Sequence, residues 1–182
     1  MRISTLIVTL IASALGAGAA NAAETCNAKT FQKYGETRAF FQDVIAGCGK
    51  DKNCYAATHV ADNGRGYAYR QQIRVRRNAG EPTNRLFFVG VDPMPAAKGQ
   101  FSISVDDKAW TLSAETALTP QSGNEFELFD LKVADRMVAM IRGGKEVSWL
   151  YPTETGGTHV ARFGVRGMNA ALRWTTCMQA RK

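Results

Sequence analysis

Residues 67–77 read Tyr67-Ala68-Tyr69-Arg70-Gln71-Gln72-Ile73-Arg74-Val75-Arg76-Arg77, and their alternation decides the fold class. Side chains two apart on a strand share a face. Tyr67, Tyr69, Ile73 and Val75 therefore fall on one side, and Arg70, Gln72, Arg74 and Arg76 on the other. This period of two predicts a half-buried strand with an apolar core face and a basic outer face. Turn-rich segments bound it, Asp62-Asn63-Gly64-Arg65-Gly66 before and Asn78-Ala79-Gly80-Glu81-Pro82-Thr83-Asn84 after. Working outward, strands are expected at 86–91, 101–105, 109–113, 125–129, 146–151 and 159–165, with a hairpin turn at Asp106-Asp107-Lys108. Ala56-Ala57-Thr58-His59 also reads as strand.

Two segments switch to a helical period. Asp130 is the expected N-cap of a helix over 131–142, where Ala134, Met137, Val138 and Ile141 share a side and Gly143-Gly144 ends it. A shorter helix is expected over 168–175, with Met168, Ala171 and Leu172 facing inward. Methionines at this spacing read as core, so Met137, Met140 and Met168 carry no functional claim. The expected fold is mainly β: a single antiparallel β-sandwich-like domain with one or two short helices packed on it, stapled by disulfides.

The disulfides are expected because the chain reads as exported. Arg2 opens residues 1–22, an apolar run follows over 6–14, and Ala20-Asn21-Ala22 has the small-x-small pattern of a signal cleavage site. The mature domain is expected to span 23–182, which suits one domain. No later segment approaches the roughly 20 apolar residues of a membrane helix. Periplasm or secretion is the expected location, and there an even number of cysteines argues for disulfides. Cys26, Cys48, Cys54 and Cys177 allow three pairings. We favour Cys48–Cys54, closing a short loop, and Cys26–Cys177, tying the ends together. A zinc site is disfavoured, because five residues separate Cys48 from Cys54 and neither His59 nor His159 has ligand-like neighbours. No cofactor or metal is expected.

The formal net charge is +7, and its distribution is uneven. Residues 50–85 hold eight basic and three acidic groups, whereas the flanking segments are nearly balanced. Such a region suits anionic lipid or lipopolysaccharide, another anionic envelope or host-surface component, or an acidic protein. Export argues against nucleic acid as the partner.

The two ends of the mature chain carry a family likeness. Residues 41–48, Phe-Gln-Asp-Val-Ile-Ala-Gly-Cys, are followed by a polar loop and Cys54. Phe41, Asp43, Ala46 and Cys48 then match an F-x-D-W-x-V-x-C opening, with Val44 in place of Trp. Near the other end, Phe163-Gly164-Val165-Arg166-Gly167-Met168-Asn169-Ala170-Ala171-Leu172 is similar to F-x-L-x-G-x-x-x-A-L. The layout resembles the invasion-associated locus B family and related exported alphaproteobacterial domains of unknown function. The middle Cys pair common in that family has no counterpart in residues 86–150. The resemblance implies a β-sandwich-like envelope or secreted protein, linked in some members to host-cell entry or surface adaptation, with no known catalytic residues.

For function, the basic face leads. Side chains two apart on a strand lie about 6.8 Å apart on one side, so Arg70, Arg74 and Arg76 would form a row, extended by Arg65, Arg77 and Arg85. Guanidinium groups grip phosphate and carboxylate bidentately. The plainer reading is a solvated face whose arginines pair with carboxylates on the next strand. A hydrolase using His59 or His159, the latter for example with Asp106, lacks a G-x-S-x-G elbow to anchor it. Asp106-Asp107 is explained by the turn without calcium, and Trp110, Trp149 and Trp174 are too dispersed for a sugar platform. The expectation is an exported envelope or secreted binding protein that is not an enzyme. A periplasmic inhibitor of a lysozyme or protease, acting through residues 93–99 or 153–158, is the rival.

Overall fold

The computed structural model describes residues 26–61, 64, 66, 68–113 and 118–181. The expected leader, 1–22, and Arg65 and Tyr67 lie outside them. The described residues form strands β1 (Thr30–Lys33), β2 (Glu36–Phe41), β3 (Val44–Cys48), β4 (Cys54–Val60), β5 (Gln71–Arg77), β6 (Arg85–Gly90), β7 (Gln100–Val105), β8 (Lys108–Ser113), β9 (Leu118–Ser122) and β10 (Glu125–Leu128). Helix α1 (Leu131–Gly143), β11 (Glu146–Pro152), β12 (Thr158–Gly164) and helix α2 (Met168–Ala180) complete the order.

Two antiparallel sheets result. One runs β1-β2-β3-β4-β5-β6-β10-β9 and the other β12-β11-β7-β8. The alternating basic stretch supplies β5, whose Ile73 and Val75 are buried while Gln72, Arg74 and Arg76 take the opposite face. Ile73 pairs with Phe88 of β6, and Phe88 reaches across to Trp149 of β11, ring centroids 5.5 Å apart. Phe101 and Tyr151 extend this aromatic layer, with Phe101 5.9 Å and Tyr151 4.0 Å from Trp149. The core thus sits between the sheets.

The helices cover what the sheets leave open. Asp130 caps α1 by accepting from the Lys132 and Val133 N–H groups at 2.9 and 3.1 Å, and Ala134, Met137, Val138 and Ile141 are buried as their spacing predicts. Helix α2 packs on β2, β3 and β4, where Ala39, Ala46 and Ala56 are fully buried. Small side chains there admit Trp174 of the helix, which lies 6.0 Å from Phe41.

Three features differ from the sequence-based expectation. The strand begins at Gln71 rather than 67, because the chain bends at Ala68 and Arg70 and the Arg70 side chain turns to Asp92. Strands β1, β2, β3 and β9 were not expected. Helix α2 continues to Ala180 through Thr175 and Thr176, poor helix formers whose hydroxyls bond back to the Leu172 carbonyl at 2.9 and 3.0 Å. The far end of α2 is held from outside by the Gln179 amide, which donates to the carbonyls of Lys52 and Arg77.

Both disulfides form as favoured. Cys26–Cys177 joins the segment ahead of β1 to α2 across a separation of 151 residues, and Cys48–Cys54 closes the β3–β4 connection. The two terminal motifs also meet. Arg166 grips Asp43 through Nε and Nη2 at 2.9 and 3.1 Å, and Thr58 donates to the Gly164 carbonyl at 2.7 Å. Gly167 has φ +91°, and a Cβ there would overlap the Phe41 carbonyl.

Candidate binding cleft

The outer face of the larger sheet is built by register. Arg74 lies opposite Ala57 of β4 and Phe87 of β6, and Arg76 lies opposite Tyr55 and Arg85. Beyond β4, Gly47 of β3 is paired with Tyr55. A Cβ on Gly47 would come within 2.7 Å of the Tyr55 ring, so the phenol lies across the glycine. Its hydroxyl donates to Glu36 Oε2 at 3.1 Å, and Arg38 Nε donates to the same oxygen at 2.8 Å. Burial and the neighbouring Glu36 charge push the Tyr55 pKa up, so the phenol stays a donor.

Above this layer stands Tyr34, at the tip of the β1–β2 hairpin. Tyr34 and Gly35 both have positive φ, 53° and 79°, as a two-residue hairpin turn of the primed type requires. The ring is 84% exposed and is flanked by Lys33 Nζ at 5.2 Å and the Arg38 guanidinium at 5.5 Å. Between this turn, the Cys48–Cys54 loop and β5 lies a cleft of about 620 Å3, walled by Tyr34, Tyr55, Lys50, Asp51, Arg74 and Arg76. A second cleft of about 400 Å3 shares Tyr34, Glu36, Tyr55 and Arg74 with the first and extends to His59, Tyr69 and Gln72. Both volumes fall in the range of small-molecule sites, roughly 300–1,000 Å3.

The arginines expected to form a row are dispersed by their partners. Arg74 Nη2 donates to Glu125 Oε2 at 2.7 Å, and its guanidinium covers the Phe87 ring at 5.2 Å. Arg85 is paired with Glu127, Nη2 to Oε2 at 2.9 Å. Arg70 leaves the row and donates from Nε to the Asp92 carbonyl at 3.0 Å. Arg77 lies on the core side of β5 and bonds Thr176 Oγ1 at 2.7 Å and the Pro82 carbonyl at 3.0 Å. Arg65 lies outside the described residues. Arg74 and Arg76 share the face, and of these side chains that of Arg76 alone makes no hydrogen bond or ion pair among the described residues. Lys50 is exposed and equally uncommitted among them.

The histidines take separate places. His59 is exposed and lines the second cleft, whose carboxylate, Glu36, is engaged by Tyr55 and Arg38. His159 lies tilted against Tyr151, ring centroids 5.3 Å apart, and Tyr151 is itself buried with its pKa pushed up to about 12. Burial lowers the His159 pKa, and the nearby Arg70 charge lowers it further. Asp106 is not its neighbour. That carboxylate accepts the Lys145 and Glu146 N–H groups at 3.0 Å each, which holds its pKa below the usual range and ties the β7–β8 turn to β11. Among the described residues, no group of three or more His, Cys, Asp or Glu side chains is placed to hold a metal ion.

Tyr34, Tyr55, Lys50 and Gln72 join the cleft without having been singled out by sequence. The usable signals were the Tyr34-Gly35 turn dipeptide and the position of Tyr55, which the alternation of β4 places opposite Arg76.

No protein-family model matches the chain, and no curated protein matches it. Among solved structures it is similar to the crystal structure of invasion associated protein B from Bartonella henselae, at 13% identity and a TM-score of 0.58 over 79% of this chain and 99% of that one. At that identity the likeness is one of fold, and it agrees with the fold implied by the motifs at the two ends of the chain.

Proposed function

We propose that the chain is an exported, non-catalytic binding protein of the bacterial envelope or its surroundings, linked to host-cell interaction, that takes an anionic group in the cleft between the Cys48–Cys54 loop and β5. Arg76 carries this reading: a guanidinium on a cleft wall with no partner among the described residues, about 620 Å3 of space before it and Lys50 on the same rim. A cation matched to a carboxylate elsewhere in the fold has little left for a ligand, whereas this one keeps its full donor set. Export is supported by the two disulfides and the expected leader, and no helix among the described residues is long and apolar enough to cross a membrane. That the fold neighbour is an invasion associated protein supports the envelope and host-interaction setting.

Sedimentation with vesicles tests it. The wild type is expected to pellet with vesicles containing lipopolysaccharide or phosphatidylglycerol and not with phosphatidylcholine alone. Arg76→Glu with Lys50→Glu is expected to stay in the supernatant at an unchanged melting temperature. Retention of the double variant on anionic vesicles overturns the proposal.

One observation favours the inhibitor reading as a second. The two loops it uses are joined, Glu154 N–H to the Met94 carbonyl at 3.0 Å and Ala96 N–H to the Pro152 carbonyl at 2.8 Å, which makes a preorganised rim carrying the exposed Met94. Inhibition of a lysozyme that is lost on Met94→Asp and kept on Arg76→Glu would favour it over the cleft.

A further inference from the structure

The outer face of the larger sheet carries exposed aromatic rings at one edge. Along β2 the alternation puts Glu36, Arg38 and Phe40 on the side opposite the buried Ala39, and register sets Phe31 against Arg38 and Lys33 against Glu36 on that same side. Phe40 is 65% exposed and stacks on Phe31, ring centroids 5.3 Å apart and planes 17° apart. Tyr34, at the hairpin tip, stands between the Lys33 ammonium and the Arg38 guanidinium and is more exposed still. Rings this open to solvent leave an apolar strip of the kind that marks an interaction surface.

The charges around the strip decide what it fits. Arg38 continues in register through Gly47 and Tyr55 to Arg76, so the strip and the anionic site share one face, three strand spacings or roughly 14 Å apart. Tyr34 and Lys50 wall the same cleft as Arg76. The carboxylates there are engaged, Glu36 by Arg38 and Tyr55, and Asp51 by the Asn53 side chain and N–H. A second copy laid face to face on the strip would bring Lys33, Lys50 and Arg76 against their counterparts, and like charges opposed across an interface are unfavourable. A soluble anion would fill the cationic site and leave the rings in water. An anionic bilayer meets both parts at once: phosphates for the cations and, just beneath them, an apolar boundary where aromatic rings flanked by lysine and arginine settle.

We infer that the β1–β2 hairpin is a membrane-docking tip: Tyr34 and Phe40, with Phe31 stacked behind, enter the boundary between headgroups and acyl chains of an anionic bilayer whose phosphates are held by Lys33, Lys50 and Arg76. This inference rests on the proposed anionic site and adds the surface that presents the anion to it.

The test uses vesicles of phosphatidylglycerol and phosphatidylcholine as the bilayer, and soluble inorganic polyphosphate as phosphate without one. Phe40→Trp places a fluorescent reporter on the strip, against native Trp149 and Trp174 that are fully buried. Its emission is expected to shift to the blue on adding vesicles and to be quenched by brominated acyl chains, with neither change on adding polyphosphate. Tyr34→Ser with Phe40→Ser is expected to weaken vesicle binding by about tenfold or more and to leave polyphosphate binding unchanged, whereas Arg76→Glu weakens both. The tryptophan variant keeps a ring at the site, so its readout holds even where the serines cost stability. Arg76-dependent vesicle binding that leaves the reporter unshifted and unquenched, or that is indifferent to the double serine variant, overturns the docking tip and leaves the anionic site standing. Self-association through these rings without acyl-chain quenching does the same, assigning the strip to a second copy. Binding of neither vesicles nor polyphosphate overturns both.

Discussion

Single residues fix where this sandwich closes. Gly167 is held at a positive φ directly against the Phe41 carbonyl, so Gly167→Ala forces a left-handed alanine as well as a backbone overlap. A destabilisation of about 1–3 kcal/mol is expected from the conformation alone, readable as a lower urea midpoint. Beside it, the Arg166 guanidinium hydrogen-bonds Asp43 and holds its carboxyl below the usual 3.8. A carboxylate with a folded pKa below its unfolded one stabilises the fold above the unfolded value and loses that contribution as pH falls through the folded one. Arg166→Gln is therefore expected to move the Asp43 titration, followed by carboxyl-carbon NMR, back up toward 3.8. It should also shrink the loss of stability on acidification below that pH. Both residues lie in motifs visible at the two ends of the sequence. That Asp43 and Arg166 meet was not visible, because nothing local in either motif encodes a contact 123 residues away in the chain.

At the scale of elements, legibility followed how each strand is buried. β5 shows a clean alternation because one face is core and the other meets solvent and charged partners. Expected and observed boundaries of β7, β8, β11 and α1 agree within two residues. β2 and β3 were missed because their buried positions hold Ala39, Ala46 and Gly47, small residues of low strand propensity that the close approach of α2 and the Tyr55 ring requires. Ala46→Leu should accordingly cost about 1–3 kcal/mol by overpacking this layer, and thermal unfolding with retained far-UV dichroism would report it. The arginine row was only half legible for a related reason. Period two gives the face of each side chain, whereas Glu125 and Glu127, which pair with Arg74 and Arg85, sit on a strand more than 30 residues downstream. The disulfides also differ by element. In the loop-entropy model the 151-residue closure of Cys26–Cys177 contributes about 5 kcal/mol and the Cys48–Cys54 loop about 2. Replacing the first pair by serines is thus expected to lower the denaturation midpoint about twice as far as replacing the second. Equal shifts would show that native-state packing, rather than loop closure, sets their contributions.

For the whole molecule, the excess of positive charge read from residues 50–85 becomes something narrower in three dimensions. Pairing within the sheet and with its neighbours neutralises or redirects Lys52, Arg70, Arg74, Arg77 and Arg85, and what remains uncommitted among the described residues of that segment is Arg76 and Lys50, at the mouth of a tyrosine-lined groove. Arg74→Glu would set a carboxylate against Glu125 and uncover Phe87, so it is expected to destabilise the fold and cannot serve as a binding probe. Arg76→Glu removes a charge that pairs with nothing among the described residues. The most direct measurement is therefore the affinity of wild type and Arg76→Glu for phosphatidylglycerol vesicles at low and moderate salt, with the melting temperature of each recorded alongside. The account predicts salt-sensitive binding by the wild type, at least about tenfold weaker binding by the variant, and the same melting temperature for both. Equal affinities, or a variant that binds less only because it has begun to unfold, would contradict it.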